Sequence, residues 1–242
     1  MRLRPPTLLA AFGAALPAAG ALPAQASGPT PDEPSGTGPD APPASRREGT
    51  VGAAELLAKV TSCSQISHGR YRPDEETPAT VPVCGMNGAV FWKADMDVDC
   101  DGRRITGCDE DRDPRYQADT AFRQSDGGPL EAGYLPHAVV PGASSLWDYP
   151  GAGITGGGVV AVVCDGRVEY TVVGDTGPAA IIGEASYATA EALGIGPDPA
   201  TGGVDSGVTY VLFKNSRVSP VESHRAAVFL GDQLARQFLQ DN

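Results

Sequence analysis

Asp175 and Glu184 are the two side chains whose type and setting best suit bond-breaking chemistry. They stand in Gly174-Asp175-Thr176-Gly177 and Gly183-Glu184-Ala185-Ser186, and such small neighbours let a bulky ligand approach the backbone. Two carboxyls suffice for glycosidic hydrolysis. One protonates the departing oxygen, while the other attacks the anomeric carbon or activates a water, at separations of about 5–5.5 Å or 6.5–9.5 Å respectively. The competing reading is structural, with Asp175 capping a turn and Glu184 favoured by a helix dipole. A helix N-terminus lowers the pKa of Glu184 and suits it to the base role, whereas burial raises it and suits it to the acid role.

A second feature is the acidic run. Eight of the 26 acidic residues after position 50 fall between Asp95 and Asp113, and Asp95, Asp97, Asp99 and Asp101 alternate before Gly102. Three readings stand side by side. One is a solvated loop. Another is calcium, because Asp97-x-Asp99-x-Asp101-Gly102 matches the first half of an EF-hand loop. Position twelve of that match is Cys108 rather than a bidentate Glu, and the preceding Phe91-Trp92-Lys93 reads as strand. The third is a surface for a polycation, since alternate residues of an extended segment point to one side and concentrate negative potential in a groove.

Other catalytic plans lack their residues. Gly-x-Ser-x-Gly, His-Glu-x-x-His and a phosphate-binding Gly-Lys-Ser/Thr are all absent from the sequence. His68, His137 and His224 are scattered. His137, which precedes a strand of the expected sheet, is the one placed to line a cleft. With no Cys-x-x-Cys and no clustered histidine, a zinc site is not expected, and no cofactor is expected for catalysis.

The elements that must position these groups are short. Ala53, Leu56, Leu57 and Val60 share a face at helical spacing, which predicts a helix within 51–60. Brief β-prone runs at 88–92 and 137–140 predict strands. Val159–Val163 and Val168–Val173 flank Asp165-Gly166, a pair favoured in type I′ hairpins, and this hairpin is expected at the centre of the sheet. On this reading Asp175 lies just past a strand and Glu184 near the start of a helix over 187–193 that stops at Gly194. A further strand is predicted over 208–213. The last helix is expected to start with Ser219 as N-cap, Pro220 next and Glu222 completing a capping box, with Ala227, Leu230, Leu234 and Phe238 facing the sheet. The class is α+β: a short-stranded, Gly-rich β-barrel-like sheet with peripheral helices, double-psi-like in its specific form.

The chain has 242 residues, and 30 acidic residues against 18 Lys and Arg give a formal charge of −12. This argues against nucleic acid or an anionic membrane as partner and for a cationic one. Arg2 and Arg4 precede an apolar stretch from Thr7 to Leu22, and Ala24-Gln25-Ala26 has the small-x-small form of a cleavage site. Residues 1–26 are therefore read as a signal peptide. Residues 27–50 hold six Pro, four Gly and no Val, Ile, Leu, Met or aromatic residue, so they read as a disordered linker before a domain over 51–242. Export makes disulfides the expected state of Cys63, Cys84, Cys100, Cys108 and Cys164. The simplest pairing is local, Cys63 with Cys84 and Cys100 with Cys108, leaving Cys164 as an inert core thiol.

Six segments occur together in an order that resembles one family. They are Asp95-Met96-Asp97-Val98-Asp99-Cys100-Asp101-Gly102, Thr120-Ala121-Phe122, Pro136-His137-Ala138-Val139-Val140, Ala161-Val162-Val163-Cys164, Gly174-Asp175-Thr176 and Gly183-Glu184-Ala185-Ser186. The chain resembles chitosanases of glycoside hydrolase family 75 over roughly residues 85–240, most specifically in the acidic octapeptide and the last two segments. The resemblance implies a secreted, inverting endo-hydrolase of β-1,4-linked glucosamine, with Asp175 and Glu184 matching the catalytic carboxylates. Asp95, Asp97, Asp99, Asp101, His137 and Thr176 are then expected to bind substrate, and the protein to act as a monomer. Two rival functions remain: cleavage of another amino-sugar polymer such as peptidoglycan, or a non-catalytic, calcium-stabilised extracellular binding module.

Overall fold

The computed structural model describes residues 48–242. The expected signal peptide and all but the last three linker residues lie outside the described residues. Glu48 and Thr50, counted with the linker on composition, are tied to the domain: Glu48 accepts from the Tyr170 amide at 2.9 Å, and Asp232 accepts from the Thr50 amide at 2.7 Å.

The elements run α1 (Ala53–Lys59), β1 (Cys84–Met86), β2 (Ala89–Asp99), β3 (His137–Pro141), β4 (Val159–Cys164), β5 (Arg167–Gly177), β6 (Glu184–Ser186), α2 (Tyr187–Leu193), β7 (Val204–Phe213) and α3 (His224–Asp241). Strands β2-β6-β3-β5-β4-β7 are hydrogen-bonded in that order and β7 returns to β2, so six strands close into a barrel with β1 attached to β2. Closure leaves the ring no centre and no edge, so the β4–β5 hairpin is one wall of the barrel rather than its middle. Its turn is the expected one, with Asp165 (φ 47°) and Gly166 (φ 75°) both in the left-handed region that a type I′ turn needs.

Alternation along the strands separates two cores. Val90, Trp92, Ala94, Met96 and Val98 of β2 pack inside the barrel with Val160, Val162, Tyr210 and Leu212, where Trp92 stacks on Tyr210 at 5.4 Å between centroids. The opposite faces of β4, β5 and β7, carrying Ala161, Tyr170 and Val211, form a second layer with α1 and α3. α3 lies close because its innermost residues are small: Ala227, Gly231 and Ala235 are buried with Phe238, and a Cβ on Gly231 would sit 2.4 Å from the Tyr170 ring.

Two element boundaries move. β2 does not stop at Trp92 but continues through Asp99, because Ala94, Met96 and Val98 keep feeding the interior while the intervening aspartates face out. α3 begins one turn later than expected: Ser223 is the N-cap, its hydroxyl accepting from the Ala226 amide at 3.3 Å. Glu222 instead accepts from Ser125, so the expected capping box at Ser219 does not form. α2 matches its prediction, with Ser186 as N-cap and Gly194 (φ 72°) as left-handed C-cap. Cys63–Cys84 and Cys100–Cys108 are bonded, and Cys164 is free and buried. Among the described residues no helix is long and apolar enough to cross a membrane.

Candidate active site

The barrel's outer face carries a row of four residues in register across four adjacent strands. Asp97 on β2 pairs with Glu184 on β6, Glu184 pairs with Val139 on β3, and Val139 pairs with Asp175 on β5. Residues directly opposite one another in a sheet point to the same side. The adjacent residues Val98, Ala185 and Ala138 face the barrel interior, so Asp97, Glu184 and Val139 point outward, and Asp175 joins them by its pairing with Val139. Asp175 and Glu184 therefore flank Val139 from opposite sides, with Cα atoms two strand spacings, about 9–10 Å, apart.

Asp175 reaches this face only through a bulge. Ala138 pairs with Val173 but Val139 pairs with Asp175, so Gly174 is the extra residue. Because side chains alternate, regular pairing would put Gly174 opposite Val139 and turn the Asp175 carboxyl to the other side. The bulge needs glycine, since a Cβ there would lie 2.5 Å from the His137 ring. Asp175 is thus inside β5 rather than past its end, and Glu184 opens the short strand β6, three residues ahead of α2.

The row forms part of a cleft lined by Asp97, Asp99, Asp101, Asp113, Asp175 and Glu184, with Arg115 its one lining cation among the described residues. A shallower extension shares Asp101, Gln117, Asp175 and Thr176 and runs on to Asp119 and Ala121, so the trough continues past Asp175. Burial raises the pKa values of Asp97, Asp101, Asp113, Asp175 and Glu184. Burial pushes Asp101 up to about 7, helped by Asp99 and opposed by the Gln117 amide, which donates to Oδ1 at 2.6 Å. Glu184 is held well above the usual carboxylate range, first by burial and then by Asp99, Asp97, Asp101 and Asp175. Asp175 is also raised by burial, but the amides of Ala121 (2.8 Å) and Thr176 (2.7 Å) both donate to its Oδ1 and pull the other way. Both carboxyls lie in one cleft, yet only Asp175 has amide donors fixed on its anion.

Two expected ligand-binding residues stand elsewhere. His137 is 0% exposed and lies beneath the cleft, not on its wall. Its Nδ1 is 3.0 Å from the Leu135 carbonyl oxygen and its Nε2 3.0 Å from Asp99 Oδ2. Both neighbours are oxygen acceptors, and the ring is held between them. Asp99 also accepts from the Asp101 amide at 2.7 Å. His137 thereby orients Asp99 and, through it, the start of the loop after β2. Asp95 is 5% exposed and outside the cleft lining, because Gly183 packs directly on its carboxylate. Asp97, Asp99, Asp101 and Thr176 do line the cleft.

The residues that sequence reading passed over come from the long β2–β3 connection: Asp113, Arg115, Gln117 and the Ala121 amide. Thr120-Ala121-Phe122 stood out as a motif, yet a backbone donor leaves no signature of its role in side-chain chemistry. Asp113 was visible as a member of the acidic run.

Two carboxyls in one carboxylate-lined trough are the side-chain chemistry that glycosidic hydrolysis employs. Residues 96–237 match the family described as fungal chitosanase of glycosyl hydrolase group 75, and the chain belongs to this family. It is 30% identical over 145 residues to an endo-chitosanase of Aspergillus fumigatus, covering 53% of this chain and 60% of the relative. It is 32% identical over 157 residues to endo-chitosanase B of Aspergillus oryzae (strain ATCC 42149 / RIB 40), covering 58% and 65%. With endo-chitosanase C of Aspergillus oryzae it shares 29% over 178 residues, covering 69% and 44%. The chain thus spans less than two thirds of each of these relatives.

Proposed function

We propose that the domain is an exported endo-chitosanase that hydrolyses β-1,4-linked glucosamine with inversion, Glu184 acting as general acid and Asp175 as general base. The observation that carries this reading is the pair of carboxyls on either side of Val139. Their Cα atoms stand two strand spacings apart, and inversion is carried over from the resemblance to family 75 chitosanases, a mechanism that needs carboxyls about 6.5–9.5 Å apart with a water between them. The role assignment follows from environment. Burial and four neighbouring acids raise the Glu184 pKa well above the usual carboxylate range, the direction that a proton donor to the departing oxygen requires. The amides of Ala121 and Thr176 stabilise the Asp175 anion, as a base requires. Burial therefore outweighs the α2 terminus at Glu184, and the acid role follows.

The other cleft acids serve the polymer. Each glucosamine carries an ammonium, and Asp99, Asp101 and Asp113 offer it oxygen acceptors in a site of reduced dielectric. The two disulfides favour an extracellular setting. The deciding experiment is proton NMR of a glucosamine oligomer during hydrolysis. The α-anomer is expected as first product; the β-anomer would exclude inversion, and turnover of peptidoglycan without turnover of chitosan would exclude the substrate.

A further inference from the structure

Three carboxylates converge beside the cleft without an ion-pair partner among the described residues. Asp95 and Asp97 are on β2, and Asp74 comes from the loop between Tyr71 and Val81. One oxygen from each lies within 4.8 Å of the others. Asp95 Oδ1 is buried and has no hydrogen-bond partner, in a residue only 5% exposed. Among the described residues none of the three makes an ion pair; Arg115, whose charge reaches Asp97, is paired with Glu75 at 3.5 Å. A buried carboxylate with neither partner nor counter-ion is costly, and two further acids against it compound the cost.

We propose that Asp74, Asp95 and Asp97 form a calcium site on the shoulder of the cleft. Oxygens sharing one Ca²⁺ at 2.3–2.6 Å lie up to about 5 Å apart, which the 4.8 Å cluster satisfies. The all-oxygen, all-carboxylate donor set suits a hard cation and not zinc or copper. This is not the EF-hand-like set of Asp97, Asp99 and Asp101, because Asp99 is engaged by His137 and the Asp101 amide. The ion joins β2 to the strap that leads into Glu184. In the same loop as Asp74, Arg72 donates its amide to Ala180 O and accepts from the Ile182 amide, both at 3.0 Å, and Gly183 and Glu184 follow directly. Calcium then stabilises the approach to Glu184 without touching the reacting bond.

The test uses the full chain after chelator treatment, with calcium chloride as probe, read by thermal unfolding and titration calorimetry. One calcium per chain is expected, with a Tm rise of about 3–6 °C at calcium tenfold above Kd. Asp74→Asn, at an exposed loop residue, and Asp95→Asn are each expected to remove the binding heat and the rise. Absence of binding heat in the unaltered chain overturns the site. So does a calcium response that survives in both variants, because it places the ion elsewhere in the acidic run. Neither readout involves hydrolysis, so failure here leaves the proposed reaction standing.

Discussion

Asp175 and Glu184 are the two register partners of one residue, Val139, reached from β5 on one side and β6 on the other. Nine positions apart in the chain, they are joined across a strand that precedes both. Val139 is the floor between them, and its small apolar side chain leaves the space above for a ligand rather than filling it. The pair predicts a clean separation of roles. Glu184→Gln and Asp175→Asn should each lower chitosan turnover by about 10²–10⁴-fold with little loss of Tm. Glu184→Gln should retain hydrolysis of a glucosaminide whose leaving group departs without protonation, and Asp175→Asn should not. The opposite pattern, read by initial rates on that substrate, would exchange the assignments.

The raised acids predict how stability responds to pH. Asp101, at about 7 in the folded protein, binds a proton more tightly folded than unfolded, and Glu184 shifts the same way. Between the ordinary carboxylate range and pH 7 the native state therefore holds more protons, and stability falls as pH rises through that window. Tm should be higher at pH 5 than at pH 8 in dilute salt. Asp101→Asn should flatten the dependence; an unchanged slope by calorimetric scanning would show that Asp101 is not responsible.

Gly174 predicts a loss of activity without loss of any cleft side chain. Gly174→Ala forces a Cβ into the His137 ring, and overpacking of this kind costs about 1–3 kcal/mol. Deleting Gly174 removes the bulge and turns Asp175 away from the cleft face, so turnover should vanish even where circular dichroism reports a folded barrel.

His137→Ala should act through Asp99. It leaves the buried Asp99 carboxylate with the Asp101 amide but without the ring, and an unmet buried polar group costs about 1–3 kcal/mol, measurable by urea unfolding. Because the ring is fully buried, added imidazole should not restore activity.

Salt should weaken substrate binding. Among the described residues six carboxylates line the cleft against Arg115 alone, and screening of partly exposed charges reduces their attraction for ammonium groups. KM for chitosan should rise between 0.05 and about 0.5 M salt while kcat changes little. A KM independent of salt would remove charge attraction as the basis of binding.

Local rules made much of this molecule legible. The Asp165-Gly166 turn, the Gly194 cap of α2 and the Cys63–Cys84 and Cys100–Cys108 pairs each depend on residues close in sequence. The acid pair was identifiable because glycines flank both members. The extent of β2 was also written in the letters: Ala94, Met96, Val98 and Cys100 alternate with four aspartates, a period of two that dense charge disguises as a loop.

What tertiary structure alone decided is register. No spacing rule brings Asp97, Glu184, Val139 and Asp175 into one row, because β2–β6 and β3–β5 are parallel pairs between distant segments, and their alignment is fixed by which faces the barrel interior accepts. The same packing sent His137 beneath the cleft and Asp95 beside Gly183, though both lie in segments that read as substrate-facing. Sequence fixes which side chains exist and which local turns they make. Closing the ring decides which of them share a face, since a one-residue shift in any strand would have delivered a different set.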